Sequence, residues 1–138
     1  MIVIDFAHNP NALELFVSSY QSAYKGIWTL FGCGGNRDKF KRNKMFKVAK
    51  RYSQKIFITS DNSRFENFNS IVKDILGEDR FDNLEVIKDR DSAIKIAIDS
   101  LPKNVPLLIL GRGHEETLNL GQNIINHSDI KAVQRYIS

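Results

Sequence analysis

Four segments of this 138-residue chain are rich in glycines and polar side chains, the residue types that proteins use to bind charged ligands. Each follows an apolar run, and together they cover residues 5–9, 32–38, 60–64 and 111–115. Glycine lets the backbone approach a ligand, and free amides near a helix start favour negative charge. Two of the segments also hold arginines, Arg37 and Arg64, whose guanidinium groups suit carboxylates or phosphates. The pattern indicates an anion-binding site but does not identify the anion.

Histidine and acidic side chains in the same segments raise the question of a metal site. His8 and His114 both follow apolar runs, with Asp5 and Glu115 close in sequence. The spacings match no zinc pattern, so we predict orienting hydrogen bonds and no metal ligand. Asp61 and Asn62 are typical turn residues, because both side chains can form hydrogen bonds with the neighbouring backbone.

The glycines around Cys33 are compatible with two further kinds of site, and neither is favoured. A dinucleotide fingerprint needs glycine at position 37, where arginine stands. A phosphatase nucleophile at Cys33 would need an arginine six residues later, where Lys39 stands. We therefore expect Cys33 to be a structural thiol without a catalytic role.

Alternating strand and helix patterns surround these segments. Strands are predicted at residues 1–6, 26–31, 55–59, 84–87 and 106–110, a weak hairpin at 118–125 around Gly121, and helices at about 9–24, 41–52, 67–76, 89–101 and 128–136. The apolar sequence of residues 1–6 predicts that the first strand is buried. His127, between the hairpin and the last helix, is predicted to be a surface loop residue. The fold class is α/β, a Rossmann-like open, mostly parallel sheet of five to six strands with helices on both faces. In such a sheet ligands bind beyond the carboxyl ends of the strands, so the four segments should converge on one rim.

The net charge of +4 is concentrated in one part of the chain. Residues 37–51 contain eight of the 20 basic residues but only one of the 16 acidic residues. The rest of the chain is slightly acidic, which argues against a nucleic-acid footprint. The sequence has no apolar run of about 20 residues, so no membrane span is predicted. A single cysteine is typical of a reducing compartment, and we expect a cytoplasmic protein.

The four segments, read in order, resemble a known family. DFAHNPNALE (5–14), FGCGGNRDKFKR (31–42), TSDNSR (59–64) and LGRGHE (110–115) are similar to motifs of the Mur ligase C-terminal domain. The MurE type typically shows DYAHTPDALE, GCGGDRDxGKR, TSDNPR and GKGHE. The resemblance covers nearly the whole chain, and the order of four motifs makes it specific.

The resemblance implies an ATP- and Mg²⁺-dependent amide ligase of peptidoglycan synthesis. Such an enzyme activates a carboxylate of UDP-MurNAc-L-Ala-D-Glu as an acyl phosphate, which the amine of a diamino acid then attacks. The chain has no G-x-x-x-x-G-K-[ST] loop for ATP phosphates. We therefore expect one domain, residues 1–138, that was excised or naturally separated from central ATPase and N-terminal UDP-sugar domains and is inactive alone.

The resemblance also implies roles for individual residues. The diamino-acid site would comprise Arg37, Asn62, Arg64, Gly111 and Glu115, supported by Asp61 and His114, with Asp5 and His8 near the nucleotide. Arg37 suits the amino acid's carboxylate, Glu115 and the Gly111 carbonyl suit its ammonium, and Asn62 can serve either end. Arg64 suits a distal carboxylate, which favours meso-diaminopimelate over lysine or ornithine.

Departures from the family motifs leave alternatives open. Ser63 replaces proline, Arg112 replaces lysine, Phe6 replaces tyrosine and Phe40 replaces glycine. These changes alter none of the residues assigned to the amino acid but leave its identity open. The alternatives are another ligase of the superfamily, such as a folylpolyglutamate synthase, and a non-catalytic module that binds carboxylates or phosphates.

Overall fold

The structure is a computed structural model that describes residues 1–36 and 38–137. Its strands are β1 (Ile2–Asp5), β2 (Trp28–Phe31), β3 (Lys55–Ile58), β4 (Leu84–Val86), β5 (Leu107–Leu110), β6 (Thr117–Asn119) and β7 (Ile124–Asn126). Its helices are α1 (Pro10–Ala23), α2 (Phe40–Tyr52), α3 (Phe68–Leu76), α4 (Arg90–Ser100) and α5 (Asp129–Ile137). Every predicted element is present, with ends that differ from the predicted ones by at most two residues.

Five strands form a parallel sheet in the order β1-β5-β2-β3-β4. Strands β6 and β7 pair with each other in an antiparallel hairpin that is separate from this sheet. The predicted fold class, an open parallel α/β sheet with a C-terminal hairpin, is therefore confirmed. β1 was predicted to be buried, and this was wrong. It is an edge strand whose residues are only half-buried, because β5 alone pairs with it.

The helices cover both faces of the sheet. Helices α1, α2 and α3 enclose one apolar cluster, which includes Leu13, Phe46 and Ile71. Helices α4 and α5 enclose the other, in which Ile94 and Val133 pack on strand residues. Strand β5 is buried along its whole length, as its continuous apolar sequence predicts for a strand covered on both faces.

Local sequence signals explain where the helices begin. The Asn9 side chain accepts a hydrogen bond from the Ala12 N–H at 2.9 Å, and Pro10 occupies the first turn of α1. Asn67 and Asp89 cap α3 and α4 in the same way. Among residues 1–36 and 38–137, no helix combines the length and apolarity that crossing a bilayer requires. The parallel arrangement brings the carboxyl ends of β1, β5, β2 and β3 to one edge, where the four predicted segments meet.

Candidate functional site

An open cavity of about 520 Å³ lies at this rim. Its lining includes six residues that the sequence singled out: His8, Asp61, Asn62, Arg64, Gly111 and Glu115. Asp5 and His114 are not among the lining residues. Arg37 lies outside the described residues, so its predicted role stays a prediction. Segments that are more than a hundred residues apart in sequence therefore contribute to a single cavity.

The loop after β1 contributes His8 at the edge of the cavity. The His8 ring is exposed, and its Nδ1 lies 2.9 Å from the Phe6 carbonyl oxygen. The Asp5 carboxylate instead accepts the Ala7 N–H at 2.9 Å and so fixes the start of the loop. Asp5 thus shapes the loop, while His8 is the residue of this pair that a ligand in the cavity can reach.

Asn62 and Arg64 lie on the loop after β3 and contact each other. Nη1 of Arg64 donates hydrogen bonds to the carbonyls of Gly35, at 3.0 Å, and Asn62, at 3.1 Å. Nη2 and Nε of Arg64 have no partner among the described residues, which leaves N–H donors for an anion. The side-chain oxygen of Asn62 accepts the Asn119 N–H at 2.8 Å, so its amide nitrogen is the end available to a ligand.

The loop after β5 supplies the acidic side of the cavity. Nη1 of Arg112 lies 3.4 Å from Oε2 of Glu115 and 3.7 Å from Oδ1 of Asp61. The carboxylates of Glu115 and Asp61 thus share the single positive charge of Arg112. The net negative charge of this group of three side chains favours binding of a cation. Asn62 also donates a long hydrogen bond, 3.5 Å, to Oε2 of Glu115.

Glycine is required at two positions of the rim. Gly111 has φ +110°, and an added Cβ would lie 3.1 Å from Oδ2 of Asp61. At Gly35 an added Cβ would lie 1.8 Å from the Ser63 carbonyl oxygen, so no side chain fits. The Gly35 N–H donates to the Asn62 carbonyl at 2.7 Å. The loops after β2 and β3 are therefore in backbone contact, which the sequence did not indicate.

Three fully buried arginines support the rim: Arg42, Arg90 and Arg112. Arg42 binds Glu66, Asp74 and the Gly34 carbonyl. It lies in the basic window 37–51, for which no burial was predicted. The acids that pair with it lie 24 and 32 residues away, so no local spacing revealed them. Elsewhere on α2, ion pairs join Lys47 and Lys50 to Asp79.

Arg90 is the first residue of α4 and lies beneath the carboxyl ends of two strands. Its Nη1 donates to the Ser60 carbonyl and its Nη2 to the Leu110 carbonyl, both at 3.1 Å. It also forms a two-pronged pair with Asp129, at 2.8 Å for each contact. Burial opposes ionisation of Asp129, but the Arg90 charge and its hydrogen bonds hold the pKa of this carboxyl below its usual range.

His127 was predicted to be a surface loop residue, and this was wrong. Its side chain is 6% exposed, and Nε2 lies 2.7 Å from Oδ1 of Asp129. The residue follows the hairpin and packs against the Arg90–Asp129 pair, which holds the ring inside. Its neighbour Ser128 accepts the Lys131 N–H and so caps α5.

Cys33 lines the cavity, but its thiol is unreactive near neutral pH. Burial is the main cause that raises the pKa of its thiol to about 12, and the nearby Asp61 charge adds to the effect. Its Sγ lies 3.8 Å from the Met45 sulfur. Across the described ranges, 1–36 and 38–137, no three His, Cys, Asp or Glu side chains come close enough to hold a metal ion.

The cavity therefore has a side chain suited to an anion next to side chains suited to a cation. Arg64 can bind a carboxylate or phosphate through its remaining N–H groups. Glu115 and Asp61 together carry more negative charge than Arg112 neutralises, so they can bind an ammonium group. A ligand with both charges, such as an amino acid, fits this arrangement better than a simple anion.

Sequence comparison identifies the family. Residues 1–113 match the family described as the Mur ligase, glutamate ligase domain. The chain belongs to this family. The matched segment contains three of the four rim loops and reaches Gly113 in the last.

Two curated relatives of this Mur ligase domain have the same name, UDP-N-acetylmuramoyl-L-alanyl-D-glutamate–2,6-diaminopimelate ligase. The protein of Blochmanniella floridana is 41% identical over 131 residues, which cover 93% of this chain and 26% of the relative. The protein of Wigglesworthia glossinidia brevipalpis is 44% identical over 117 residues, which cover 83% of this chain and 24% of the relative. The chain thus spans about a quarter of the length of these relatives.

Solved structures agree with this assignment. A structure of a ligase with the same name superposes with a TM-score of 0.94 at 30% identity, covering 99% of this chain and 28% of that one. A folylpolyglutamate synthase/dihydrofolate synthase from Yersinia pestis gives a TM-score of 0.62 at 14% identity, over 80% of this chain and 25% of that one. At that identity, the second likeness concerns the fold alone.

Part of the site of this Mur ligase domain lies beyond residues 1–113. Glu115, the β6–β7 hairpin and helix α5 all follow the matched segment. The hairpin contacts Asn62 through Asn119, and α5 contributes Asp129 to the Arg90 pair. Residues 114–137 are therefore integrated with the rim.

Proposed function

We propose that this chain is the amino-acid-binding domain of an ATP-dependent ligase that adds a diamino acid to UDP-MurNAc-L-Ala-D-Glu. The observation that carries this proposal is the placement of Arg64 and Glu115 in one cavity, bridged by Asn62. The shared name of the relatives, a 2,6-diaminopimelate ligase, supports the same substrate class.

Meso-diaminopimelate is the favoured diamino acid. It carries two ammonium and two carboxylate groups, whereas lysine and ornithine lack the distal carboxylate. Glu115 and the Gly111 carbonyl bind an ammonium group, and Arg64 binds the distal carboxylate with its Nη2 and Nε donors. Arg37 is assigned the other carboxylate on sequence grounds alone.

The reaction joins the bound amino acid to an activated carboxylate. ATP transfers its terminal phosphoryl group to a carboxylate of UDP-MurNAc-L-Ala-D-Glu, which gives an acyl phosphate and ADP. The amine nitrogen then attacks the acyl carbon, the C–O bond to phosphate breaks, phosphate leaves with the bonding electrons, and the amine loses a proton. The residues of this chain contribute orientation, because holding both ends of the amino acid directs its amine.

We assign ATP and its Mg²⁺ mainly to a central domain of the longer ligase. The 138 residues contain no G-x-x-x-x-G-K-[ST] sequence. A neighbour with the same fold, from Yersinia pestis, was crystallised with AMPPNP and a Mn ion. We assign His8, at the cavity edge, and Asp5, which shapes its loop, to positions near the nucleotide. The nucleotide precursors are made in the cytoplasm, where we place the ligase.

Calorimetry with meso-diaminopimelate and lysine tests the substrate assignment. We expect Arg64→Ala to weaken binding of diaminopimelate by about ten- to a hundredfold, because a charge-assisted contact is lost. Lysine affinity should change little. Arg80→Ala is the matched control, because Arg80 is exposed and lies away from the cavity lining. Equal affinity of wild type and Arg64→Ala for diaminopimelate would refute the distal-carboxylate role.

A hybrid ligase tests the whole reaction. This chain would replace the matching 27% of the Haemophilus influenzae ligase, which is 38% identical over 130 residues. We expect ATP-dependent addition of meso-diaminopimelate to UDP-MurNAc-L-Ala-D-Glu. Preferential addition of glutamate would instead favour the folylpolyglutamate synthase alternative. Binding of diaminopimelate without any ligation would favour a non-catalytic module.

A further inference from the structure

The β6–β7 hairpin is attached to the loop after β3, which carries Asn62 and Arg64, rather than to the main sheet. Its two strands pair only with each other. All three residues of β7 are exposed, and Leu118 is the only residue of either strand that is buried. An isolated two-stranded hairpin is marginally stable in water, so contacts outside the hairpin must fix its position.

Asn119 provides two of these contacts through its backbone. Its N–H donates to the side-chain oxygen of Asn62 at 2.8 Å, and its carbonyl accepts the Arg64 N–H at 3.0 Å. A backbone N–H can only donate, so the oxygen of Asn62 must face the hairpin and its amide nitrogen must face Glu115. The hairpin backbone thereby decides which end of Asn62 is presented to a ligand.

Gly121 provides the third contact, at the turn of the hairpin. Its φ is +89°, and an added Cβ would lie 2.4 Å from the Arg64 carbonyl oxygen. Arg64 itself has φ +53°, a left-handed conformation that a residue with a side chain rarely adopts. The close packing of Gly121 against this carbonyl, together with the Asn119 hydrogen bond, holds Arg64 in that conformation.

Arg112 fixes the open end of the hairpin. Its Nη2 donates to the Thr117 carbonyl at 2.8 Å and to the His127 carbonyl at 3.1 Å. Its Nη1 faces Glu115, so one buried side chain joins the hairpin to the acidic side of the cavity. The hairpin therefore contacts residues of both the cationic and the acidic parts of the site.

We infer that the hairpin, residues 117–126, is the positioning element that gives the site its preference for an amino acid with a distal carboxylate. It acts through Asn119 and Gly121 on Asn62 and Arg64 and does not touch the ligand itself. The inference rests on the proposed function. Because coupling between two sites is reciprocal, a ligand held by Asn62 and Arg64 must also stabilise the hairpin.

Gly121→Ala tests this role, with Gly77→Ala as the matched control. Both glycines have positive φ, so both substitutions strain the backbone, but Gly77 follows α3 and meets Asn43 rather than the site. Dissociation constants for meso-diaminopimelate and lysine would be measured for wild type and both variants. We expect Gly121→Ala to weaken diaminopimelate binding about tenfold and lysine binding by less than about twofold. Gly77→Ala should leave the ratio of the two constants unchanged.

The outcomes separate this inference from the proposed function. If wild type binds diaminopimelate and Gly121→Ala binds it equally well, the hairpin role is refuted and the proposed function stands. An equal loss for both ligands in Gly121→Ala also refutes it, since destabilisation alone would explain that result. If wild type binds no diamino acid, the proposed function fails and the inference fails with it.

Amide hydrogen exchange on the wild-type chain gives a second measurement that does not depend on a variant folding. Saturating meso-diaminopimelate should slow exchange of the Asn119 and Arg64 amides by about tenfold, and lysine should slow it less. The Gly77 N–H, which caps the end of α3 by donating to the Lys73 carbonyl, is the internal reference. Unchanged exchange at Asn119 with bound diaminopimelate would overturn the coupling.

Discussion

The carboxylate of Glu66 receives two N–H groups of Arg42, at 2.5 and 2.9 Å. The same carboxylate accepts the backbone N–H of Asn36 at 3.1 Å, and Arg42 also binds the Gly34 carbonyl. Glu66 follows β3, whereas the glycine loop follows β2. This pair therefore joins the glycine loop to the segment that follows β3 and fixes the backbone at Asn36.

The Glu66 contact predicts a particular dependence of stability on pH. Hydrogen bonds from Arg42 are the main cause that lowers the pKa of Glu66 from 4.5 to about 2. A lowered pKa in the folded state stabilises the protein above pH 4.5, and this contribution disappears as the pH falls toward about 2. We expect the free energy of unfolding to fall more steeply below pH 4.5 in wild type than in Glu66→Gln. Urea unfolding at several pH values measures this, and parallel curves would contradict it.

The Arg90–Asp129 pair predicts a strong effect on stability from a single substitution. Both side chains are 0% exposed, so Arg90→Met leaves a buried carboxylate that has lost its guanidinium partner and keeps only the His127 contact. We expect the free energy of unfolding to fall by about 3–5 kcal/mol. Arg90→Met combined with Asp129→Leu should recover much of that loss, because the buried charge is gone. Denaturant unfolding of wild type, Arg90→Met and the double variant measures these changes. An unaltered midpoint in Arg90→Met would refute a stabilising role of the pair.

The position of Glu115 in the cavity predicts that its substitution weakens the binding of every diamino acid to a similar extent. Glu115→Gln removes the negative charge that we assign to an ammonium group of the ligand, and every diamino acid carries ammonium groups. We expect binding of both diaminopimelate and lysine to weaken by about tenfold or more. Glu116→Gln is the control, because Glu116 is exposed and outside the cavity lining. Calorimetry that shows equal losses in both variants would argue against a specific role for Glu115.

The burial of Cys33 predicts that its thiol reacts only after the protein unfolds. Burial raises the pKa of this thiol to about 12, so almost no thiolate exists near neutral pH. We expect a disulfide reagent such as dithionitrobenzoate to modify native protein at least about a hundredfold more slowly than protein in urea. Rapid modification of the native chain would show that the cavity exposes the sulfur more than the structure indicates.

Sequence patterns sufficed for most of the fold because its elements are locally encoded. The continuous apolar run at 107–110 and the Asn9-Pro10 helix start each depend on neighbours in sequence. The position of β1 is different. Its apolar sequence predicted a buried strand, but strand order depends on long-range pairing, which placed β1 at the edge beside β5.

The residues of the candidate site were also named from the sequence. Parallel strands bring their carboxyl ends to one edge, so the loops that carry Asn62, Arg64, Gly111 and Glu115 had to lie near each other. The sequence did not indicate what holds them. Arg42, Arg112 and His127 were expected at exposed positions or given no structural role, yet all three are buried.

The sequence by itself determined the alternation of strands and helices, the rim where the loops meet and the family. Only the tertiary structure decided that a hairpin outside the sheet orients Asn62 and Arg64, and that buried arginines join the loops. The physical reason is the range of the interactions. Caps, turns and apolar periodicity act within a few residues, whereas Asn62 meets Asn119 across 57 residues, and Arg90 meets Asp129 across 39. Such contacts exist only once the chain has folded.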